Sequence, residues 1–122
     1  MKDTKIEKTY RTKILTVGDK IPRYISIPLY TWDMKLSATA KLAYGLLLSR
    51  ASLSIKNRWI DENGWVYMEY TTESLARDLR RSERTASKAL TELRKKDLII
   101  CEQTGYNRPT HIYVKIVLEP ET

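Results

Sequence analysis

The stretch Tyr70-Thr-Thr-Glu-Ser-Leu-Ala-Arg-Asp-Leu-Arg-Arg-Ser-Glu-Arg-Thr-Ala-Ser-Lys-Ala-Leu-Thr-Glu-Leu-Arg-Lys-Lys96, with the two apolar runs that follow it, decides the fold. Thr72 and Ser82 each stand where an N-cap belongs, and each precedes a Glu that suits the positive end of a helix dipole. Two helices are therefore predicted, over Glu73 to Leu79 and Glu83 to Lys96, joined by a short basic turn. At about 100° per residue, Ala86, Leu90 and Leu93 of the second helix fall in one stripe. Arg84, Lys88, Thr91 and Lys95 fall on the opposite side. Between Arg77 and Lys96 eight cations stand against three anions, a local balance of +5.

Working downstream, Leu98 to Glu102 is apolar and β-prone. Thr110 to Val117 alternates, with Ile112, Val114 and Ile116 on one face and His111, Tyr113 and Lys115 on the other. The connection Gln103-Thr-Gly-Tyr-Asn-Arg-Pro109 supplies turn residues and sets Tyr106, Asn107 and Arg108 near its tip. Two short helices followed by such a hairpin form the outline of a winged helix-turn-helix, so an anionic double helix is the first partner to consider. A basic face on an isolated helix is commonly only a solvated surface. Here a packing helix (Leu75, Ala76, Leu79) precedes it, and the small hydrogen-bonding residues Thr85, Ser87 and Thr91 lie among the cations, where they can approach base edges and phosphates. Arg81 and Ser82 are expected to grip phosphate at the helix start. Arg108 suits a minor groove or backbone contact, and equally the solubility of a hairpin tip.

Working upstream, Asn63-Gly64 is a turn dipeptide between Trp59-Ile60 and the run Trp65 to Tyr70, which predicts a hairpin. Trp59, Trp65 and Tyr67 offer a base-stacking platform on one reading. Their strand spacing beside apolar residues favours packing instead. Ser37 is the expected N-cap of a long helix to about Ile55, apolar on more than one side. Pro22 and Pro28 keep the preceding segment extended, and Leu29, Tyr30 and Trp32 are expected to close over the core. Residues 1–20 form a basic arm in which Ile14, Leu15 and Val17 could form a short strand, although a disordered leader is the commoner outcome for such composition. The domain is assigned to residues 21–118, and 119–122 reads as the start of a linker.

The chain has 122 residues, 42% hydrophobic, with a net charge of +7, one cysteine and one histidine. That suits one compact α+β domain: a winged helix-turn-helix with a long N-terminal helix, a β-hairpin before the helix-turn-helix and a C-terminal wing hairpin. With no signal peptide and no run of about eighteen apolar residues, a cytosolic protein without a membrane partner is expected. Cys101 lacks a disulfide partner and reads as a small buried side chain. His111 has no neighbour in ligand-like spacing, no phosphate loop or nucleophile elbow occurs, and Asp61 and Glu62 sit beside a turn. Neither a cofactor nor a metal is expected, and no enzymatic activity.

From about Ile25 to Val117 the sequence resembles the N-terminal domain of RepA-type plasmid replication initiators of Gram-positive bacteria. The segments that carry this are Lys41 to Ser49, Ser52 to Asn57, Trp59 to Gly64 with Val66-Tyr67, the helix-turn-helix, and Pro109 to Lys115. The resemblance implies a winged helix that binds repeated sites in double-stranded DNA at a plasmid origin as a homodimer. It also implies that host replication proteins are recruited by a separate C-terminal domain not contained in this sequence, which makes the chain a fragment of a longer initiator. The DNA-contacting residues expected are Arg81 and Ser82 at the start of the second helix, Arg84, Thr85, Ser87, Lys88, Thr91 and Lys95 on it, and Tyr106, Asn107 and Arg108 of the wing. A winged-helix transcriptional regulator at a promoter, and a winged helix that binds an acidic protein, are the alternatives.

Overall fold

The computed structural model describes residues 10–103 and 110–118. Its elements are a 3-10 turn (Leu29–Asp33), helix α1 (Ala38–Lys56), strand β1 (Met68–Glu69), helices α2 (Thr72–Leu79) and α3 (Glu83–Lys95), and strands β2 (Ile99–Gln103) and β3 (Thr110–Val114). The antiparallel sheet runs β1-β3-β2, so the strand that enters the helix-turn-helix pairs with the far strand of the wing. Met68 stands opposite Ile112, and Cys101 stands opposite the same Ile112 from the other side.

One face of the sheet and the three helices share a single core. Ala40, Ala43, Tyr44 and Leu47 of α1 meet Leu75 and Ala76 of α2, and Ala86, Ala89, Leu90 and Leu93 of α3. Met68, Leu98, Ile99 and Ile112 close it from the sheet. Burying these side chains is worth roughly 1.5–3 kcal/mol for each Leu or Ile, which is what holds the short helices in place.

Several expectations shift by small distances for identifiable reasons. Helix α2 is capped by Thr71, not Thr72: the Thr71 hydroxyl accepts the Ser74 N–H at 3.0 Å. Ser82 and Ser37 cap α3 and α1 as expected, accepting from Thr85 N–H and Ala40 N–H. Helix α3 ends at Lys95, with Lys96 as its C-cap.

The predicted hairpin before α2 is reduced to one bridge, Ile60 with Val66, around a turn that the Asp61 carboxylate organises. Asp61 accepts the N–H groups of Asn63 and Trp65, both at 2.9 Å, and Gly64 takes φ +82, where any Cβ would be strained. Of the run Trp65 to Tyr70 only Met68–Glu69 is strand, and its partner is β3.

Ile14, Leu15 and Val17 form no strand. Asp19 instead ties a turn by accepting from Thr16 N–H, Thr16 Oγ1 and Lys13 Nζ, and all three apolar side chains stay exposed. The strap at 25–28 does cross α1, at Gly45, where an added Cβ would lie 3.1 Å from both Ile27 Cγ1 and the Ser26 carbonyl oxygen. Leu29 and Trp32, expected over the core, are exposed; Thr31 is buried in their place. Ile116 lies beyond the end of β3 and is exposed, while Tyr113, assigned to the outer face, is 8% exposed because Trp65 and Tyr67 pack on it.

Candidate nucleic-acid interface

The geometry of α3 follows from its four buried positions. Ala86, Ala89, Leu90 and Leu93 face α1 and α2, so Arg84, Lys88, Thr91 and Lys95 lie on the opposite bearing. Arg84, Lys88 and Lys95 are exposed and make no ion pair among the described residues. Ser87 is exposed at the margin of that face. Thr91 and Thr85 are half-buried with hydroxyls engaged at home: Thr91 Oγ1 donates to the Ser87 carbonyl and accepts from Arg94, and Thr85 Oγ1 bonds Ser82 Oγ.

The turn into α3 is cationic and tightly closed. Arg80 takes φ 58, a left-handed conformation that costs roughly 1 kcal/mol for a residue with a Cβ. Its N–H meets the Ala76 and Arg77 carbonyls, the Arg81 N–H reaches Ala76 O at 3.0 Å, and the Arg80 guanidinium folds back on Arg77 O at 3.3 Å. Arg81 and Ser82 are thereby held, exposed, at the positive end of α3, a position suited to an anion. Tyr106, Asn107 and Arg108 lie outside the described residues.

Two contacts that local pattern does not reveal tie the helix pair to α1. Glu92, on α3, accepts from Ser37 N–H and Ser37 Oγ, both at 2.8 Å, so an α3 carboxylate joins the cap of α1. The Tyr70 hydroxyl donates to Asp78 of α2, and Arg50 of α1 lies 4.5 Å over the Tyr70 ring and 3.9 Å from Asp78. Burial and the Asp78 carboxylate push the Tyr70 phenol up to about 12. The signal for either contact would have been the separation of polar residues from any local partner, which a single sequence does not display.

An exposed cationic helix face, a tight basic turn at its start and a C-terminal strand pair define the class: a winged helix-turn-helix domain. The model of one family, replication initiator protein A (RepA) N-terminus, matches residues 30–122. The chain belongs to that family. It is similar to a solved chain described as the structure of a Rep-DNA complex, at 33% identity over 80% of this chain and 79% of that one, with a TM-score of 0.69. It is also similar to the N-terminal domain of a DNA binding protein (30%, 89% and 88%, TM-score 0.70) and to an MDR initiator (34%, 82% and 79%, TM-score 0.65). No curated protein matches it.

Proposed function

We propose that this chain is the DNA-binding module of a plasmid replication initiator, and that it recognises repeated sites in double-stranded origin DNA. The observation that carries the reading is the face of α3 that bears Arg84, Lys88 and Lys95, exposed and free of ion pairs among the described residues, in a chain of this family. A helix presented in this way enters a major groove with its N-terminal half toward the bases. Arg84, Ser87 and Lys88 then reach base edges or adjacent phosphates, Thr91 contributes through its methyl or a shared hydroxyl, and Lys95 lies nearer the backbone. Arg81, Ser82 and Thr85 serve the phosphate at the helix start. The wing residues Tyr106, Asn107 and Arg108 take the flanking backbone or minor groove. No catalysis and no cofactor are assigned.

The module acts as a homodimer on two half-sites. Its self-association surface combines α1 with the preceding strap, supported by the exposure of Ile21, Tyr24, Leu29, Trp32 and Leu42. Residues 1–20 are the arm, and host replication proteins are engaged through a separate domain rather than through these residues. Among the described residues no helix is long and apolar enough to cross a membrane.

Footprinting on plasmid DNA with random duplex as competitor tests the proposal. Protection of repeated origin sites is the expected result, with the repeat spacing reporting the dimer geometry. Protection confined to a promoter would make the chain a transcriptional regulator, and no protection above competitor would move its function to protein interaction.

A further inference from the structure

The sheet has a second face, turned away from the helices, whose chemistry opposes that of the rest of the chain. Register puts Glu69, His111 and Glu102 in one row across β1, β3 and β2, with Tyr113 and Ile100 in the next. The residues before β1 lay aromatic rings over these rows. Tyr67 stacks on His111 with centroids 4.4 Å apart, Trp59 lies 5.9 Å from Tyr67, and Trp65 meets Tyr113 edge-on at 5.8 Å. This layer is unfinished: Trp65 is 55% exposed, Ile100 41% and Trp59 39%. A shallow groove of about 480 Å³ runs between Trp65, Val66, Ile100, Tyr113, Val114 and Lys115.

Carboxylates frame it. Glu69 and Glu102 stand on the sheet itself, with Glu69 Oε2 3.3 Å from His111 Nε2; Asp61 accepts a hydrogen bond from the Tyr113 hydroxyl at 3.1 Å besides those of its own turn, and Glu62 is exposed in that turn. Lys115, the cation among the described residues that line the groove, is already bonded to Asp97 at 2.8 Å. In a chain of net charge +7, four carboxylates and three partly exposed large apolar side chains among the described residues of one face are anomalous. Phosphates are repelled by such a field, and stacked single-stranded bases need cations alongside the rings. Neither form of nucleic acid suits it.

We propose that the outer face of the sheet docks a cationic peptide segment of a partner protein, with one apolar or guanidinium side chain seated in the Trp65–Ile100–Tyr113 groove and its neighbouring Lys or Arg side chains paired to Glu69, Glu102 and Asp61. Charge complementarity selects this occupant, since exposed Trp and Tyr rings accept both aliphatic stems and guanidinium planes, and the carboxylate frame admits cations. The face is built from the sheet and the turn before β1, and includes none of the α3 residues assigned to DNA. The inference does not depend on the DNA reading.

The test titrates the complete chain, followed by tryptophan fluorescence and amide shifts, with a synthetic Leu-Arg-Leu-Arg-Leu-Arg peptide, its Leu-Glu counterpart and an oligothymidylate. Saturable binding of the Arg peptide alone is expected, with shifts confined to β1, β2, β3 and the Trp59 to Tyr67 turn. The double variant Glu69→Gln/Glu102→Gln, which keeps shape and removes charge, should weaken it about tenfold or more at low salt. Trp65→Ala should do likewise, and thermal unfolding of each variant establishes that it is folded. Equal response to both peptides, binding of oligothymidylate at this face, a change in sedimentation of the free chain caused by these substitutions, or no saturable response would each overturn the proposal.

Discussion

If α3 lies in the major groove, its cations must be felt as counterion release, and the structure says how many. Among the described residues the proposed contact surface holds four: Arg81, Arg84, Lys88 and Lys95. Four neutralised phosphates give log affinity against log salt a slope of about −3.6 per domain, so raising salt from about 50 to about 200 mM weakens binding about 150-fold. Replacing Lys88 with Ala removes one contact and should flatten the slope by about 0.9.

A second effect separates phosphate from base. If Lys88 touches a base edge, Lys88→Ala costs roughly 1–3 kcal/mol on the cognate site and relaxes preference there. If it touches only phosphate, cognate and random duplex weaken together. The measurement is clean because Lys88 is exposed on the side opposite the buried stripe, so its loss should move stability by less than about 0.5 kcal/mol. Fluorescence anisotropy at four salt concentrations, on cognate and scrambled duplexes, reads both quantities. Arg84→Ala is the parallel variant. Wild-type affinity, slope and preference in both Lys88→Ala and Arg84→Ala would refute α3 as the recognition helix.

Three further outcomes follow from the packing. Glu92→Ala removes both bonds to Ser37 and should destabilise the domain by about 1 kcal/mol, the ordinary net worth of an exposed hydrogen bond, with Ser37→Ala non-additive in a double-mutant cycle read by urea unfolding. Gly45→Val drives a branched side chain into Ile27 and the Ser26 carbonyl, so a loss of roughly 1–3 kcal/mol is expected, along with faster tryptic cleavage after Arg23. Tyr70 is protonated more tightly in the folded chain than in the unfolded one; its contribution is complete below pH 10 and is lost as pH rises from there to about 12. Tyr70→Phe should therefore flatten that alkaline part of the stability profile, and an unchanged profile would contradict the burial and Asp78 contact that cause the shift.

The helix pair was legible because its signals are local. A cap hydroxyl needs only the N–H three residues on, as at Ser82 with Thr85, and a helix face needs only its own period, as with Ala86, Leu90 and Leu93. The family was legible in the same way, from contiguous segments. The choice between Thr71 and Thr72 was not local: both can cap, and the one used is set by where Leu75, Ala76 and Leu79 must point to meet α1 and α3. The candidate contact residues of α3 were all named from the sequence, but not the internal bonds that occupy Thr85 and Thr91, which depend on the fitted orientation of each hydroxyl.

Legible along the chain were the three helices, the cationic face of α3 and the basic turn before it, since each rests on local spacing. Tertiary structure alone decided the rest. β1 pairs with β3 across 44 positions at Met68 and Ile112, Glu92 reaches Ser37 across 55, and Tyr70 joins Asp78 to Arg50. The acidic aromatic face exists only because that pairing brings Glu69 beside His111 and Glu102, residues that no period along the chain connects. Such contacts are chosen by the packing of whole elements around one core, and a linear pattern carries the propensity of each element but not the geometry of their meeting.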